Sequence, residues 1–389
     1  MDSEPKKVAL VHDWLAVYTG SERVFEQILS LYPEADLFSL VEFLPDNQRA
    51  FLQGKPVQTS FLQKLPFARA HFRGYLPLMP LAIEQFDLNG YDLVISSSHA
   101  VAKGVITNPN QLHLSYIHSP IRYAWDMQFE YLRDSRLQHG PKSWLVRAML
   151  HYIRLWDART INGVDAIAAN STFIARRIWK VYRRAARVIY PPVDVGKFAF
   201  TPQKEDYYLA VARMVPYKKI GLIVEAFAGM PDKRLVVIGE GPERARIARM
   251  AAGNITFLGY QPNETIVKIM QRARAFVFAA QEDFGITPLE AQACGTPVIA
   301  FGGGGVTETV RGLEHPEPTG VFFAEQTAGS LRAAVAQFEA LAEKIKPEAC
   351  SANAARFAPE YFCAAFSAFV AEHWANFQQQ MQAGEDRSS

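Results

Sequence analysis

The chain has 389 residues, 49% of them hydrophobic and 21% charged, with a formal net charge of +2. That length is too great for one core and suits two domains. The charge balance excludes a global pull toward nucleic acid, and no apolar run approaches the roughly 20 residues of a membrane span. Cys294, Cys350 and Cys363 make neither a disulfide framework nor a metal motif, and the charged opening Met1 to Lys7 lacks the apolar stretch of a signal peptide. A reducing, cytoplasmic setting is expected.

Short apolar runs alternate with helical patterns throughout, which predicts βα units and parallel sheets, an α/β class. In the first half the predicted strands are Val8–Val11, Leu37–Val41, Leu93–Ser96, Leu112–Ile117, Ala166–Ala169 and Val188–Tyr190, with helices at Ser21–Leu31, Trp144–Thr160 and Thr172–Val181. Tyr190-Pro191-Pro192-Val193-Asp194 then ends a strand stiffly, and a polar stretch follows, so a domain boundary is placed between residues 192 and 193. In the second half strands are predicted at Tyr208–Ala212, Leu235–Ile238, Ile255–Leu258, Ala275–Phe278, Val298–Ala300 and Val321–Phe323. Helices alternate with them at Ile220–Phe227, Pro242–Ala251, Glu264–Arg272, Ile286–Ala293 and Ser330–Leu341. The polar residues 378–389 are expected to be frayed or disordered. The pattern is that of two doubly wound domains in tandem. Such sheets bind ligands at the carboxyl ends of their strands, and two of them facing each other form a cleft for a two-part ligand.

The residues with chemistry fall at those strand ends. Val11-His12-Asp13-Trp14 closes the first strand, and Gly20 precedes the next helix. Gly20 either lets backbone approach a ligand or makes a turn, and no GxGxxG fingerprint is present. His118, in Ser115-Tyr116-Ile117-His118-Ser119-Pro120, ends another apolar run. It is read either as a structural histidine or as one that binds or polarises a substrate.

In the second domain Arg213 ends the first strand, and Lys218 and Lys219 open the following helix. Cations oppose the dipole at a helix start, a conflict that an anionic ligand removes. Arg213 and Lys218 therefore suit a diphosphate clamp, with solvent-facing lysines as the plain alternative. Gly239 and Gly241 flank Glu240 after another strand, for close approach to a ligand or a tight turn. Gly302 to Gly305 is either mobile or offers backbone amides, and Glu308 beyond it either caps a helix or serves the site. Glu282 and Glu290 bracket Asp283-Phe284-Gly285-Ile286-Thr287-Pro288-Leu289. An acid before a helix start and another one turn in suit a ligand with hydroxyls and phosphates together.

Taken together, Gly20, His118, Arg213, Lys218 and the E-x7-E pair Glu282 and Glu290 resemble the retaining GT-B glycosyltransferases of family 4, over nearly the whole chain. The His12-Asp13-Trp14 and His118 to Asp126 stretches are most similar to WbaZ-type bacterial mannosyltransferases of surface polysaccharide assembly. The resemblance implies two Rossmann-like domains facing across a cleft: residues 1–192 for the acceptor, residues 193–357 for the nucleotide sugar. A C-terminal helix over 358–377, with Phe362, Phe366 and Phe369, returns to the first domain. It implies that Glu290 binds the ribose hydroxyls and Glu282 the transferred sugar, while backbone at Phe284, Gly285, Ile286 and Thr287 meets sugar and phosphate. Arg213 and Lys218 would neutralise the leaving diphosphate, His118 would contact the sugar, and Gly20, Gly239 and Gly241 would approach the donor. No metal or other cofactor is needed. Two departures stand out: Gly20 is followed by Ser21 where the family often has a second glycine, and Lys219 stands where many members have glycine.

The activity so implied is transfer of a hexose from a nucleoside diphosphate sugar to a hydroxyl of a glycan or lipid-linked oligosaccharide, with retention of configuration. GDP-mannose is the favoured donor and a UDP-sugar the alternative; the residues that read the base are not identifiable, though Tyr260 is placed near it. A non-catalytic nucleotide-binding paralogue and a sugar epimerase are rival readings. Residues 130–192 hold 12 Lys and Arg against 4 Asp and Glu, including Arg176-Arg177, Lys180, Arg183-Arg184 and Arg187. That run is either a solvated helix face or a contact with anionic lipid at the inner face of the plasma membrane. The stretch Phe61, Phe67, Arg69, His71, Phe72, Arg73 and Tyr75 is either core or part of the same contact.

Overall fold

Seven short strands build the first sheet: β1 (Val8–His12), β2 (Asp36–Ser39), β3 (Val57–Thr59), β4 (Leu93–Ser98), β5 (Leu112–Ile117), β6 (Ala166–Ala169) and β7 (Arg187–Val188). They lie in the order β3-β2-β1-β4-β5-β6-β7, and every pairing is parallel. Helices cover both faces, so β1, β4, β5 and β6 are buried along their full length and read as continuous apolar or small-residue runs. The structure is a computed structural model and describes residues 4–385.

The second sheet has six strands: β8 (Tyr208–Val211), β9 (Leu235–Ile238), β10 (Ile255–Gly259), β11 (Ala275–Phe278), β12 (Val298–Phe301) and β13 (Gly320–Phe323). Their order is β10-β9-β8-β11-β12-β13, again all parallel. The two sheets belong to two units. One ends at Pro192 and resumes at Glu360; the other is Val193–Pro359. In each sheet the strand order reverses once, between β1 and β4 in the first and between β8 and β11 in the second. Those reversals are where the carboxyl ends of strands leave room for a ligand.

Register carries particular residues to the first reversal. His12 pairs with Ser97 across β1 and β4, and Ser97 pairs with Tyr116 across β4 and β5. His12, Ser97 and His118 therefore share one edge of the first sheet.

The helix Pro359–Glu385 follows the second unit in sequence but packs on the first. Phe362, Phe366, Phe369, Val370 and Trp374 join the core made by Leu10, Leu93, Ile95, Leu114 and Tyr116. Phe362, Phe366 and Phe369 dock as the family resemblance implies. The disorder expected from residue 378 is corrected for residues 378–385, which continue the helix. Gln378 to Ala383 are good helix formers, and the ring of Phe377 sits 5.9 Å from that of Trp374 one turn earlier. Residues 386–389, the end of the expected tail, lie outside the described residues, as do the first three of the charged opening.

Other departures are the helices Met79–Glu84, Gln128–Asp134 and Pro347–Ala355, which were not predicted, and differences at element ends and edges. β3 was not predicted, because three residues at a sheet edge carry no apolar run. The helix expected over Pro242–Ala251 is limited to Arg244–Ala248. Helix Ile286–Ala293 has the bounds read from the sequence. Among the described residues no helix is long and apolar enough to cross a membrane.

Candidate functional site

In the second unit the site is built where the sheet reverses. Arg213 follows β8 by two residues, and Glu282 follows β11 by four. Arg213 is exposed and has no ion pair among the described residues. Lys218 ends a short 3-10 turn, Pro216–Lys218, and its ammonium is paired with the Glu282 carboxylate. The two side chains are about a quarter and a fifth exposed (24% and 20%), so the pair is reachable from solvent. The chain turns into helix Ile220–Ala228 through Lys219, whose φ of 56° is left-handed. That is the conformation for which glycine is the natural residue, and it accounts for the glycine found there in the resembling family.

Gly285 is the N-cap of helix Ile286–Ala293, with φ 94°. A Cβ there would meet only ordinary contacts, the nearest 3.6 Å away, so glycine is required by the backbone angle and not by space. The first amides of this helix have no intrahelical acceptor and carry the positive end of the dipole. Ile286 and Thr287 are half-exposed, and Glu290 lies one turn further on, also half-exposed. Phe284 points the other way: it is buried, its ring 5.7 Å from that of Phe357. Any part Phe284 plays toward a ligand is thus through its backbone.

The glycine-rich loops hold this arrangement together. Glu282 bridges to Gly304, and the Gly305 N–H donates to the Glu282 carbonyl at 2.8 Å. A Cβ on Gly304 would collide with the Glu282 carbonyl oxygen, and one on Gly305 with that of Asp283. The loop after β12 is therefore pressed against the backbone that carries Glu282. Gly239 and Gly241 act likewise: their missing Cβ atoms make room for the carbonyls of Ala212 and Met214 on either side of Arg213. Met214 N–H donates to the Glu240 carbonyl at 2.9 Å, which closes the contact. At the far end of helix Ile286–Ala293 the Lys204 ammonium donates to the Cys294 carbonyl (3.1 Å), to Gln271 O (2.7 Å) and to Thr296 Oγ1 (2.9 Å). A cation at the carboxyl end of a helix complements its dipole.

In the first unit, His118 Nε2 lies 2.9 Å from Ser97 Oγ, and its backbone N–H donates to the Ser98 carbonyl at 2.8 Å. Burial, with His99 and His12 beside it, pushes its pKa down to about 3. It is a neutral hydrogen-bonding imidazole at physiological pH, not a cation. Asp13 is a residue the sequence reading left without a role. It is fully buried, and its carboxylate accepts the backbone N–H groups of His99 (2.6 Å), Ala100 (3.0 Å), Val101 (2.6 Å) and Ala102 (2.7 Å). His99 Nδ1 lies 3.0 Å from the same carboxylate. Burial alone would raise the Asp13 pKa; His99, His12 and those N–H groups outweigh it and hold the carboxyl below its usual range. The signal for it was an acid immediately after the first strand.

Gly20 is the first residue of helix Gly20–Leu31. The end of that helix carries its own anion. Glu22 accepts from Thr19 N–H (2.9 Å), Thr19 Oγ1 (2.6 Å) and Ser21 Oγ (3.0 Å) and lies 3.4 Å from His12 Nε2. Burial opposes its ionisation, but His12 and Thr19 prevail and bring the pKa to about 2. A phosphate near Gly20 would meet that fixed charge, whereas the helix start at Gly285 has no acid in its first turn.

Half of the basic run is occupied. Arg177 pairs with Asp126, Arg187 with Glu372, and Arg184 donates to the carbonyls of Ile161, Val164 and Asp165. Arg176, Lys180 and Arg183 remain exposed. The aromatic stretch is divided: Phe72 is core with Arg73 stacked on it, and Phe67 is 80% exposed. Tyr260 is exposed, at 79%. Cys294 and Cys350 are buried, and burial pushes both thiols up to about 12.

Residues 197–357, most of the second unit, match the family Glycosyl transferases group 1. D-inositol 3-phosphate glycosyltransferase of Mycobacterium avium (strain 104) is 29% identical over 181 residues, 40% of this chain and 42% of that protein. The match thus spans about two-fifths of that relative's length. Among solved structures, sucrose-phosphate synthase from Thermosynechococcus elongatus superposes with a TM-score of 0.69 at 18% identity, covering 95% of this chain and 100% of that one. Anabaena HepE in complex with UDP gives 0.66 at 16% identity, covering 94% and 100%. These likenesses define the class of the fold: it is GT-B, two parallel-sheet Rossmann-like domains closed by a helical C-terminus.

Proposed function

We propose that the protein is a retaining hexosyltransferase that moves a hexose from a nucleoside diphosphate sugar to a hydroxyl of a glycan or lipid-linked oligosaccharide. The observation that carries this reading is the Lys218–Glu282 pair held beside the free helix start at Gly285, with Glu290 one turn beyond. Such an arrangement offers a cation and backbone amides to a diphosphate and two carboxylates to hydroxyls. It suits a donor with both kinds of group better than a bare phosphate, which the carboxylates would repel.

Breaking the bond to the sugar leaves negative charge on the diphosphate. On this reading Arg213, Lys218 and the amides of Ile286 and Thr287 stabilise that charge, and the step needs no metal or other cofactor. Preorganised donors of this kind are the main resource expected for such a reaction. On this reading Glu282 holds the transferred hexose, Glu290 the ribose, and backbone at Phe284 and Gly285 the sugar and phosphate. Gly239 and Gly241 approach the donor and also pack against the backbone on either side of Arg213. Neutral His118 orients a sugar hydroxyl by hydrogen bonding, and Gly20 approaches the donor away from its phosphates, which the Glu22 carboxylate would repel. GDP-mannose is the first donor to test, from the likeness of the His12 and His118 stretches to WbaZ-type mannosyltransferases. A UDP-sugar is the second, because Anabaena HepE has been solved with UDP and with UDP-glucose.

Calorimetric titration of GDP-mannose, UDP-glucose and UDP-galactose, with the product anomer determined by NMR, tests the proposal. Glu282→Ala should retain nucleotide binding and lose transfer by about 100-fold or more. Full transfer by that variant, or inversion at the anomeric carbon, would overturn it. Nucleotide binding without turnover would point to a non-catalytic paralogue, and conversion of donor alone to an epimerase.

A further inference from the structure

Among the described residues, nothing packs on one face of the helix Pro141–Thr160. Its inner residues, Leu150, Ile153 and Trp156, are buried. Its outward side shows Trp144 (77% exposed), Leu145 (72%), Tyr152 (45%) and Leu155 (61%). Positions 144, 148, 152, 155 and 159 follow the three- and four-residue spacing of a single helical face, and Leu145 borders it. Phe129, on the helix Gln128–Asp134, is 61% exposed and extends the same apolar area, since the Arg147 guanidinium lies 5.8 Å from its ring.

The charge on this helix is one-sided. It carries Lys142, Arg147, Arg154 and Arg159, and its one acid, Asp157, is withdrawn into the interior. There Asp157 pairs with Lys103 and accepts from Trp125 Nε1 (2.6 Å) and Tyr182 Oη (2.8 Å). The surface is therefore apolar, rich in Trp and Tyr, and bordered mainly by cations, with Glu130 and Asp134 on the short helix of Phe129 as the neighbouring acids. A helix of this kind lies in the plane of a membrane interface: the rings and leucines enter the headgroup boundary and the basic residues meet anionic lipid.

We propose that this face of helix Pro141–Thr160, with Phe129, docks on an anionic lipid bilayer. A second copy of the chain fits it less well, because a two-fold contact sets the same patch against itself and brings the basic residues together. The surface lies apart from the Arg176 to Arg187 run, where Arg177, Arg184 and Arg187 have partners within the chain; on this helix Arg154 is likewise held, by the Ala124 carbonyl and Gln128, and Lys142 and Arg159 supply the exposed charge. It does not depend on the reaction proposed above, and donor binding measured in the same samples separates the failure of one from the failure of the other.

The test is flotation of the full chain with phosphatidylcholine vesicles, with and without phosphatidylglycerol. The wild type should float with the anionic vesicles, less so as salt is raised. A variant carrying Trp144→Ser, Leu145→Ser and Leu155→Ser should lose about tenfold or more in partitioning, with its melting temperature unchanged because the three side chains are exposed. Tryptophan emission should shift to the blue on vesicle addition, and Trp144→Phe should reduce that shift. Flotation of the triple variant equal to wild type, or no flotation of the wild type, would overturn the proposal. So would a wild-type dimer that the same substitutions convert to monomer without changing flotation.

Discussion

At the scale of single residues, burial decides the charge states that matter. His113 is fully buried; its Nδ1–H donates to the Gly163 carbonyl at 3.0 Å, so the neutral ring must accept at Nε2, 2.9 Å from Ser96 Oγ. Burial pushes its pKa down to about 4 from an ordinary value of 6.5, and that of His118 to about 3. Between the folded and ordinary values the unfolded chain binds more protons than the native one. Stability is therefore full above pH 6.5 and is withdrawn as pH falls toward 4. For His113 alone the loss amounts to about 3 kcal/mol. Glu22, lowered from 4.5 to about 2, has the same sign in a lower window: its contribution is present above pH 4.5 and lost as pH falls toward 2. Melting temperatures should thus fall in two stages on acidification. His113→Gln, followed by calorimetry from pH 7 to 4, should flatten the first; an unchanged acid limb would count against this assignment.

At the scale of elements, the loops after β11 and β12 behave as one piece. Gly304 has φ 82° and lies against the Glu282 carbonyl, so Gly304→Ala meets both backbone strain and a collision. The strain alone costs roughly 1–2 kcal/mol, and relief of the collision moves Glu282. The variant should melt earlier and turn over more slowly than wild type, with a larger loss in kcat than Gly303→Ala, where the neighbour is the Phe301 ring and not the Glu282 backbone. Equal losses would show that the Gly304 contact does not position the acid. These loops also mark where the sequence was readable. Glu282, Gly285 and Glu290 lie within one short stretch, so their spacing displays the helix start that unites them. The Lys218–Glu282 pair joins residues 64 apart, and Asp13 reaches backbone 86 to 89 residues away. No local pattern shows such contacts; they come from strand order. The four-glycine loop looked mobile or ligand-facing because glycine is common to both uses, and its packing use is visible only once the neighbouring carbonyls are placed. The basic run is only partly readable for a related reason: sequence counts charges and does not show that Asp126 and Glu372 have taken two of them while Arg176, Lys180 and Arg183 stay exposed.

At the scale of the whole molecule, alternation of short strands and helices was enough to predict two parallel sheets, because strands buried on both faces are necessarily apolar runs. Strand order and the β3 edge were not, since both are set by tertiary pairing. The crossing of the last helix to the first unit was expected only through family likeness, and it makes a strong prediction. A chain ending at Pro359 loses Phe362, Phe366, Phe369, Val370 and Trp374 from the first core. At about 1.5–3 kcal/mol for each large buried side chain, the loss is comparable with the roughly 5–15 kcal/mol that holds a typical domain together. Limited proteolysis with mass spectrometry should find the first unit of that truncation cut readily and Val193–Pro359 still protected. Equal resistance of both would show that the helix is dispensable. The same arrangement has a consequence for synthesis. The first unit is encoded on both sides of the second, so its sheet emerges from the ribosome long before the helix that covers it. At about 5–20 residues per second, the intervening stretch takes roughly ten to thirty seconds to translate. The second unit, being contiguous, is able to fold first, while the earlier sheet waits with an apolar face uncovered. A chain released before that helix is made thus carries an open core, the kind of surface that chaperones and proteases recognise.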